Sequence, residues 1–309
     1  MVIFNIKENF KIEESWNLDE FPAWILMEED EVHLLEELFS YECIRECIDY
    51  KQEQRIDYFK DYIFILIDIL EQQGNQIISK ELDIFLGKSF IVTVYKSNIS
   101  ILYELIEDIK AGKNSNLFKR DKSPSIILYY LLDRIIRSNY NIISKLESEG
   151  DRIELEILKN PDSIYLNSLL FTRREAYKLR KLIKPIRYIG DSLVLNENGV
   201  IEKENIIYFK NISNKIEKLI NSLDTLSQEL AIVREAYESE LANKTNELMK
   251  VFTIITAVFL PLELITAIFS MGFDSMPFKT CPYAFYGLIG VLIFMAIFLL
   301  LLFKKRKIL

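Results

Sequence analysis

One histidine, three cysteines and nine glycines in 309 residues leave few materials for several common kinds of site. A lone His33 and scattered cysteines do not supply the ligand set of a zinc centre. Cys43, Cys47 and Cys281 offer no disulfide framework; Cys43 and Cys47 stand four apart in a helix-forming stretch and are expected as a buried, reduced pair. No Walker loop, Gly-rich dinucleotide turn or Ser/His/Asp set is present, so the chain does not read as an enzyme and no tightly bound cofactor is expected. Positive charge is also lacking. A net charge of -8 argues against a nucleic acid polymer as partner. Residues 1–7 lack the basic region, apolar run and cleavage site of a signal peptide, which predicts a cytosolic N-terminal region.

The chain is 50% hydrophobic and 27% charged, and this average hides two populations. Residues 1–250 are acidic and soluble in character, whereas residues 251–303 carry few charges. In residues 1–115 the runs 62–67 and 90–95 are β-branched and aromatic, with 76–86 as a further strand, so a cytosolic α/β domain is expected there. The acidic run Glu28, Glu29, Asp30, Glu31 opens a helix expected over roughly 28–50, with Leu34, Leu35 and Leu38 as its apolar positions. Residues 99–111 read as the next helix.

Residues 116–200 read as a helical region. Ser123-Pro124 is a helix start, and Ile127, Leu131, Ile135, Ile142 and Leu146 keep helical spacing through 149. A second helix is expected from about 163 to Lys184, where Pro185 follows. It carries Arg173, Arg174, Arg180, Lys181 and Lys184, a basic cluster able to bind the phosphates of a small nucleotide ligand. Asn196 to Gly199 is a turn.

From Glu202 to Gly272 there is no glycine before the last position and no proline except Pro261, which predicts one helix of about 70 residues. Its soluble part, 201–250, is a stalk. Ile216, Leu219, Leu223, Leu226, Leu230, Val233 and Tyr237 recur at alternating three and four, a coiled-coil seam expected to bury itself between copies of the chain. A second line runs roughly 200° away. It includes Thr225, Gln228, Ile232, Glu235, Ser239 and Ala242. It continues as Asn246, Met249, Thr253, Thr256, Leu260 and Glu263, with Ala267 and Ser270 beyond, and is expected to line an ion pathway.

Residues 251–273 and 283–303 are each long enough to span a bilayer. The external loop 274–282 joins them, and the basic tail 304–309 places the C-terminus, and hence the N-terminal domain, in the cytosol of a cell whose inner membrane holds the hairpin. Glu263 falls at mid-membrane, where a carboxylate faces a pathway or is held between helices.

Arg234, Glu235, Ala236, Tyr237, the run Asn246 to Leu262, Met276-Pro277 and the basic tail resemble the CorA family of divalent-cation channels and transporters. Residues 56–95 resemble its cytosolic α/β domain. The resemblance implies an α+β cytosolic domain, a long stalk helix, a two-helix transmembrane hairpin and a homopentamer funnel conducting a divalent cation such as magnesium. The family ends its first span in Gly-Met-Asn; here Ser270, Met271 and Gly272 stand there, a degenerate mouth motif. A position commonly threonine in the family is Glu263, a candidate metal ligand. Two alternatives to the cation channel stay open. CorA-like proteins without the mouth motif occur beside type III CRISPR systems as antiviral effectors answering a nucleotide second messenger. The other alternative is a non-conducting membrane scaffold.

Overall fold

The computed structural model describes residues 1–17, 20–49, 52–74, 76–272 and 283–306. The loop at 274–282, Phe273 and Lys307 lie outside them. The chain divides into two compact units, Met1–Glu156 with Asp162–Arg234, and Ile157–Pro161 with Glu235–Leu309.

The first unit is built on a seven-stranded sheet. Its opening strands are β1 (Val2–Asn5), β2 (Lys11–Glu13) and β3 (Ala23–Glu28), followed by a 3-10 turn at Glu29–Leu35 and α1 (Tyr41–Ile48). Then come β4 (Arg55–Tyr58), β5 (Tyr62–Gln73), β6 (Gln76–Gly87) and β7 (Phe90–Tyr95). The strand order is β2-β1-β3-β7-β6-β5-β4, antiparallel except for the parallel pair β3 and β7. Residues Ile63 to Ile67 are fully buried, because helices cover both faces of the sheet. Strand alternation separates those faces. Phe64, Leu66, Phe85, Val92 and Val94 meet Leu35, Ile44 and Cys47 of the 3-10 turn and α1. Tyr58 stands opposite Ile63, on the other face, and its hydroxyl donates to Ser192 O.

The remaining helices are α2 (Ser100–Lys110), α3 (Pro124–Lys159), α4 (Ser163–Leu195), α5 (Ile206–Ser270) and α6 (Ala284–Lys305), with a 3-10 turn at Lys203–Asn205. At the start of α3, Ser125 Oγ donates to Glu202 Oε2 (2.6 Å) and Asn205 Nδ2 to Asp121 Oδ2 (2.6 Å). Two carboxylates thus sit at the positive end of a 36-residue helix and tie it to the foot of α5.

Four expectations change. The helix over 28–50 is two elements, because Ser40 caps a new helix through Cys43 N, leaving Leu34 and Leu38 exposed and Leu35 buried. The helix of 125–149 runs on to Lys159. Gly150 lies inside it, where a Cβ would stand 3.2 Å from Leu230, so close packing on α5 compensates a weak helix former. The helix of 163–184 continues to Leu195 with Pro185 inside. Pro185 withholds the N–H that would reach Lys181 O, yet Ile183, Ile186, Ile189 and Leu193 stay buried on both sides of it. Gln54 Nε2 donates to the adjacent Leu182 O (2.7 Å).

The fourth change concerns the seam of α5. Ile216, Leu219, Leu223, Leu226, Leu230 and Val233 are each at most 4% exposed within the single chain. Gly190 of α4 lies so close that a Cβ there would come within 2.7 Å of Ile216 Cδ1. Lys215 pairs with Asp133 of α3, and Arg180 of α4 with Asp224 at 3.0 Å. The coiled-coil spacing therefore reports packing on the chain's own α3 and α4, not on copies.

Candidate functional site

α5 contains 65 residues, a length of about 98 Å at 1.5 Å per residue. Around 241–253 every side chain on it is exposed, including Leu241, Leu248, Met249, Val251 and Phe252. Among the described residues two helices are long and apolar enough to cross a membrane, the C-terminal part of α5 and α6. In the apolar part of α5 the only buried residues are Ile254 and Val258, with Ala257, Pro261, Leu262 and Ile265 half-buried beside them. α6 has a matching half-buried stripe, Leu288, Leu292, Met295, Leu299 and Phe303, at helical spacing. These are the covered faces of the hairpin.

The polar line falls opposite. Asn246, Met249, Thr253, Thr256, Leu260, Glu263, Ala267 and Ser270 are all exposed and lie roughly 200° round the helix from the covered stripe. The line is longer than the sequence reading took it to be. Asn211, Asn214, Lys218 and Asn221 extend the same three-four spacing towards the start of α5, and all are exposed. The signal for them was present in the spacing and was hidden only by the lack of any contrast in polarity.

Two hydroxyls on the line are oriented. Thr253 Oγ1 donates to Met249 O (2.7 Å) and Thr256 Oγ1 to Phe252 O (2.9 Å). Their protons are committed to the helix backbone, so each oxygen turns outward as an acceptor. A hydrated cation presents water hydrogens outwards and needs such acceptors. Glu263 adds a carboxylate one turn beyond Leu260. At the end of α5 Gly272 takes φ 68°, a left-handed close after Ser270 and Met271. The end of α5 is thus a helix terminus with one hydroxyl, that of Ser270.

The basic residues of α4 are dispersed along an exposed face. Arg180 and Lys184 line a groove with Asp191 and Asp224, and Arg180 is paired. Arg173, Arg174 and Lys181 stand outside that groove. His33 Nδ1 is 2.9 Å from Asp30 O at the surface. Among the described residues no three His, Cys, Asp or Glu side chains gather as a metal site.

Buried polar groups escaped the sequence reading, and Asp83 is the one whose acidity is most changed. Asp83 sits 1% exposed in the apolar run Leu82 to Leu86, beneath α1. Burial, and then Glu81, push its carboxyl up to about 8. Cys47, beside it, is raised further by burial, and both cysteines of α1 are free thiols. Lys96 is committed to Glu81 and to Asp49 O. The only sequence signal was a lone acid inside a strand pattern.

The CorA-like Mg2+ transporter protein family matches residues 23–305. The cobalt/magnesium transport protein CorA of Thermotoga maritima is 25% identical over 294 residues, covering 93% of this chain and 83% of that one. The putative metal ion transporter YfjQ of Bacillus subtilis is 24% identical over 281 residues, covering 90% and 86%. The solved CorA magnesium transporter of Methanocaldococcus jannaschii superposes with a TM-score of 0.83 at 19% identity, covering 98% of this chain and 97% of that one. Full-length CmaX gives 0.76 at 17% identity, covering 99% and 96%. A sheet domain, one long helix and two C-terminal apolar helices, matched in sequence from residue 23 to 305, lead to one conclusion: this chain belongs to the CorA family of ion-transporting membrane proteins, which are not enzymes.

Proposed function

We propose that the chain is a cation channel or transporter of the inner membrane, a homopentamer whose pathway runs along the polar line of α5, with both termini in the cytosol. The observation that carries this reading is the exposed line from Asn246 to Ser270, opposite the covered face of the hairpin, with Thr253 and Thr256 held as acceptors. The names of the relatives support a divalent cation as the transported ion: a cobalt/magnesium transport protein in Thermotoga maritima and a divalent cation transporter, CmaX, in Pseudomonas aeruginosa. The stretch of α5 that is exposed all round supports assembly, because a lone helix carrying Leu248, Val251 and Phe252 on its surface gains cover only from copies or lipid.

In that assembly Asn246, Thr253, Thr256 and Ser270 supply neutral oxygens, Met249 and Leu260 supply apolar constrictions, and Glu263 supplies a ring of carboxylates. Magnesium keeps several of its waters, and oxygens that accept from those waters suit it without stripping them. The mouth at Ser270, Met271 and Gly272 lacks a side-chain amide, so discrimination moves inward to Glu263. α5 is one helix from its soluble start to Ser270, so ion occupancy in the cytosolic domain acts on the helix that lines the pathway.

Flux and reversal potential in proteoliposomes test this. Glu263→Gln keeps size and removes charge; it is expected to lower cation preference or flux several-fold while the assembly keeps its mass. An assembled mutant with unchanged flux and selectivity removes Glu263 from the pathway. A mass of one or two chains across several mild detergents overturns the pentamer.

A further inference from the structure

Two exposed patches on the sheet domain have no partner within the chain. The first is the outer face of α4. Leu170, Tyr177, Tyr188 and Leu195 stand exposed along one side of the helix, Tyr177 at 70%. Arg173, Arg174, Lys181 and Lys184 are interleaved with them and exposed, with no ion pair among the described residues. The second patch is the 3-10 turn with α1. Leu34, Leu38, Tyr41 and Ile48 are exposed there, Tyr41 at 73%. Around them Asp30, Glu36, Glu37 and Glu42 are exposed, while the one arginine, Arg45, is already paired with Asp49. Each patch joins large apolar side chains to a surplus of one sign of charge, and the surpluses are opposite; the exposed Asp191 on α4 is taken up by Arg187 and Ser213.

Their placement matters as much as their charge. α1 and the 3-10 turn cover the sheet face that carries Phe64 and Val94. α4 lies on the opposite face, reached by the Tyr58 hydroxyl. One chain therefore cannot bring the two patches together, whereas neighbouring chains can. Surfaces that are complementary but not identical join head to tail, and such contacts close into a ring when the rotation between neighbouring subunits allows it. Tyrosine and arginine beside apolar groups are the residue types enriched in such contacts.

We propose that the outer face of α4 in one subunit docks on the 3-10 turn and α1 of the next, so that Tyr177 and its arginines meet Leu38, Tyr41 and the surrounding carboxylates. This contact rests on the pentameric reading above and adds to it a cytosolic belt separate from the pathway helices. The occupant is a second copy of this chain, because the charge complement each patch lacks is present on the other.

The test is photocrosslinking of the full chain in native membranes, with benzoylphenylalanine in place of Tyr177, and in a parallel sample in place of Thr253. The Tyr177 probe is expected to give subunit-to-subunit adducts whose peptides map to residues 28–49. Arg173→Glu with Arg174→Glu is expected to cut their yield about tenfold, and Glu36→Lys with Glu37→Lys in the same chain to restore it. Adducts from the Thr253 position alone, with none from Tyr177 or with Tyr177 adducts mapping elsewhere, overturn the belt and leave the pentamer standing. Yield unchanged by the charge reversal also overturns it. No inter-subunit adducts from either position, with the mass of a single chain, sink the pentameric reading and the belt with it.

Discussion

Two stretches of α5 share a helix and a spacing and differ in everything else. From Ile216 to Val233 the apolar line is sealed against α3 and α4. From Leu241 to Thr253 the helix has no cover at all within the chain. The polar line keeps its three-four spacing through both. Periodicity says that a face meets a partner; it does not say whether the partner lies in the same chain. The upper seam owes its stability to folding of one subunit, whereas the lower stretch must draw on lipid or on copies.

Substitutions can break this comparison. Leu226→Ala removes a side chain that is 1% exposed and is expected to cost about 3 kcal/mol, read as a lower melting temperature at any protein concentration. If the loss instead varies with concentration, the seam is an interface between copies. Gly190→Ala drives a Cβ onto Ile216 and is expected to cost about 1–3 kcal/mol, measured by chemical unfolding. A neutral result shows that α4 can move away from α5, and the seam is then looser than its burial implies.

The covered unit also carries a pH signature. Asp83 rises from an ordinary 3.8 to about 8 on folding. The folded chain then holds an extra proton between those values. Stability is fully present below about 4, falls as pH rises, and levels off above about 8, with a slope of at most about 1.4 kcal/mol per pH unit. Asp83→Asn keeps the shape without the charge. It is expected to flatten that slope in melting temperatures taken from pH 5 to 8 in detergent. An equally steep mutant assigns the slope to other groups. At the small end, Leu248→Ala is expected to change the unfolding of a dispersed subunit by less than about 0.5 kcal/mol, because 57% of the residue is already exposed. Its effect should appear instead in the fraction assembled, followed by mass in detergent.

Much of the architecture was legible in the residues. The strands at 62–67, 76–86 and 90–95 were marked by β-branched runs, and the long helix by its want of glycine and proline. The exposed polar line was legible from its spacing, since residues at alternating three and four share a helix face wherever the helix goes. The strands β1 to β4 were not: β1, β2 and β4 are only three or four residues long, and β3 is apolar through its first five positions without alternation. Pro185 misled because local preference stops a helix there, while buried neighbours on both sides hold it together. Asp83 was passed over because desolvation depends on what packs above a strand, which no local pattern records.

The residues by themselves determined the strands between 62 and 95, the long helix, the two apolar spans, and which side chains share the outward line of α5. Those properties follow from backbone geometry and side-chain chemistry along a single segment. Only the tertiary structure decided that the seam from Ile216 to Val233 is an internal core, and that a basic face and an acidic face lie on opposite sides of one sheet. Each of these depends on which segments meet across long sequence distances. That choice is made by packing the whole domain at once and not by the preference of any one stretch.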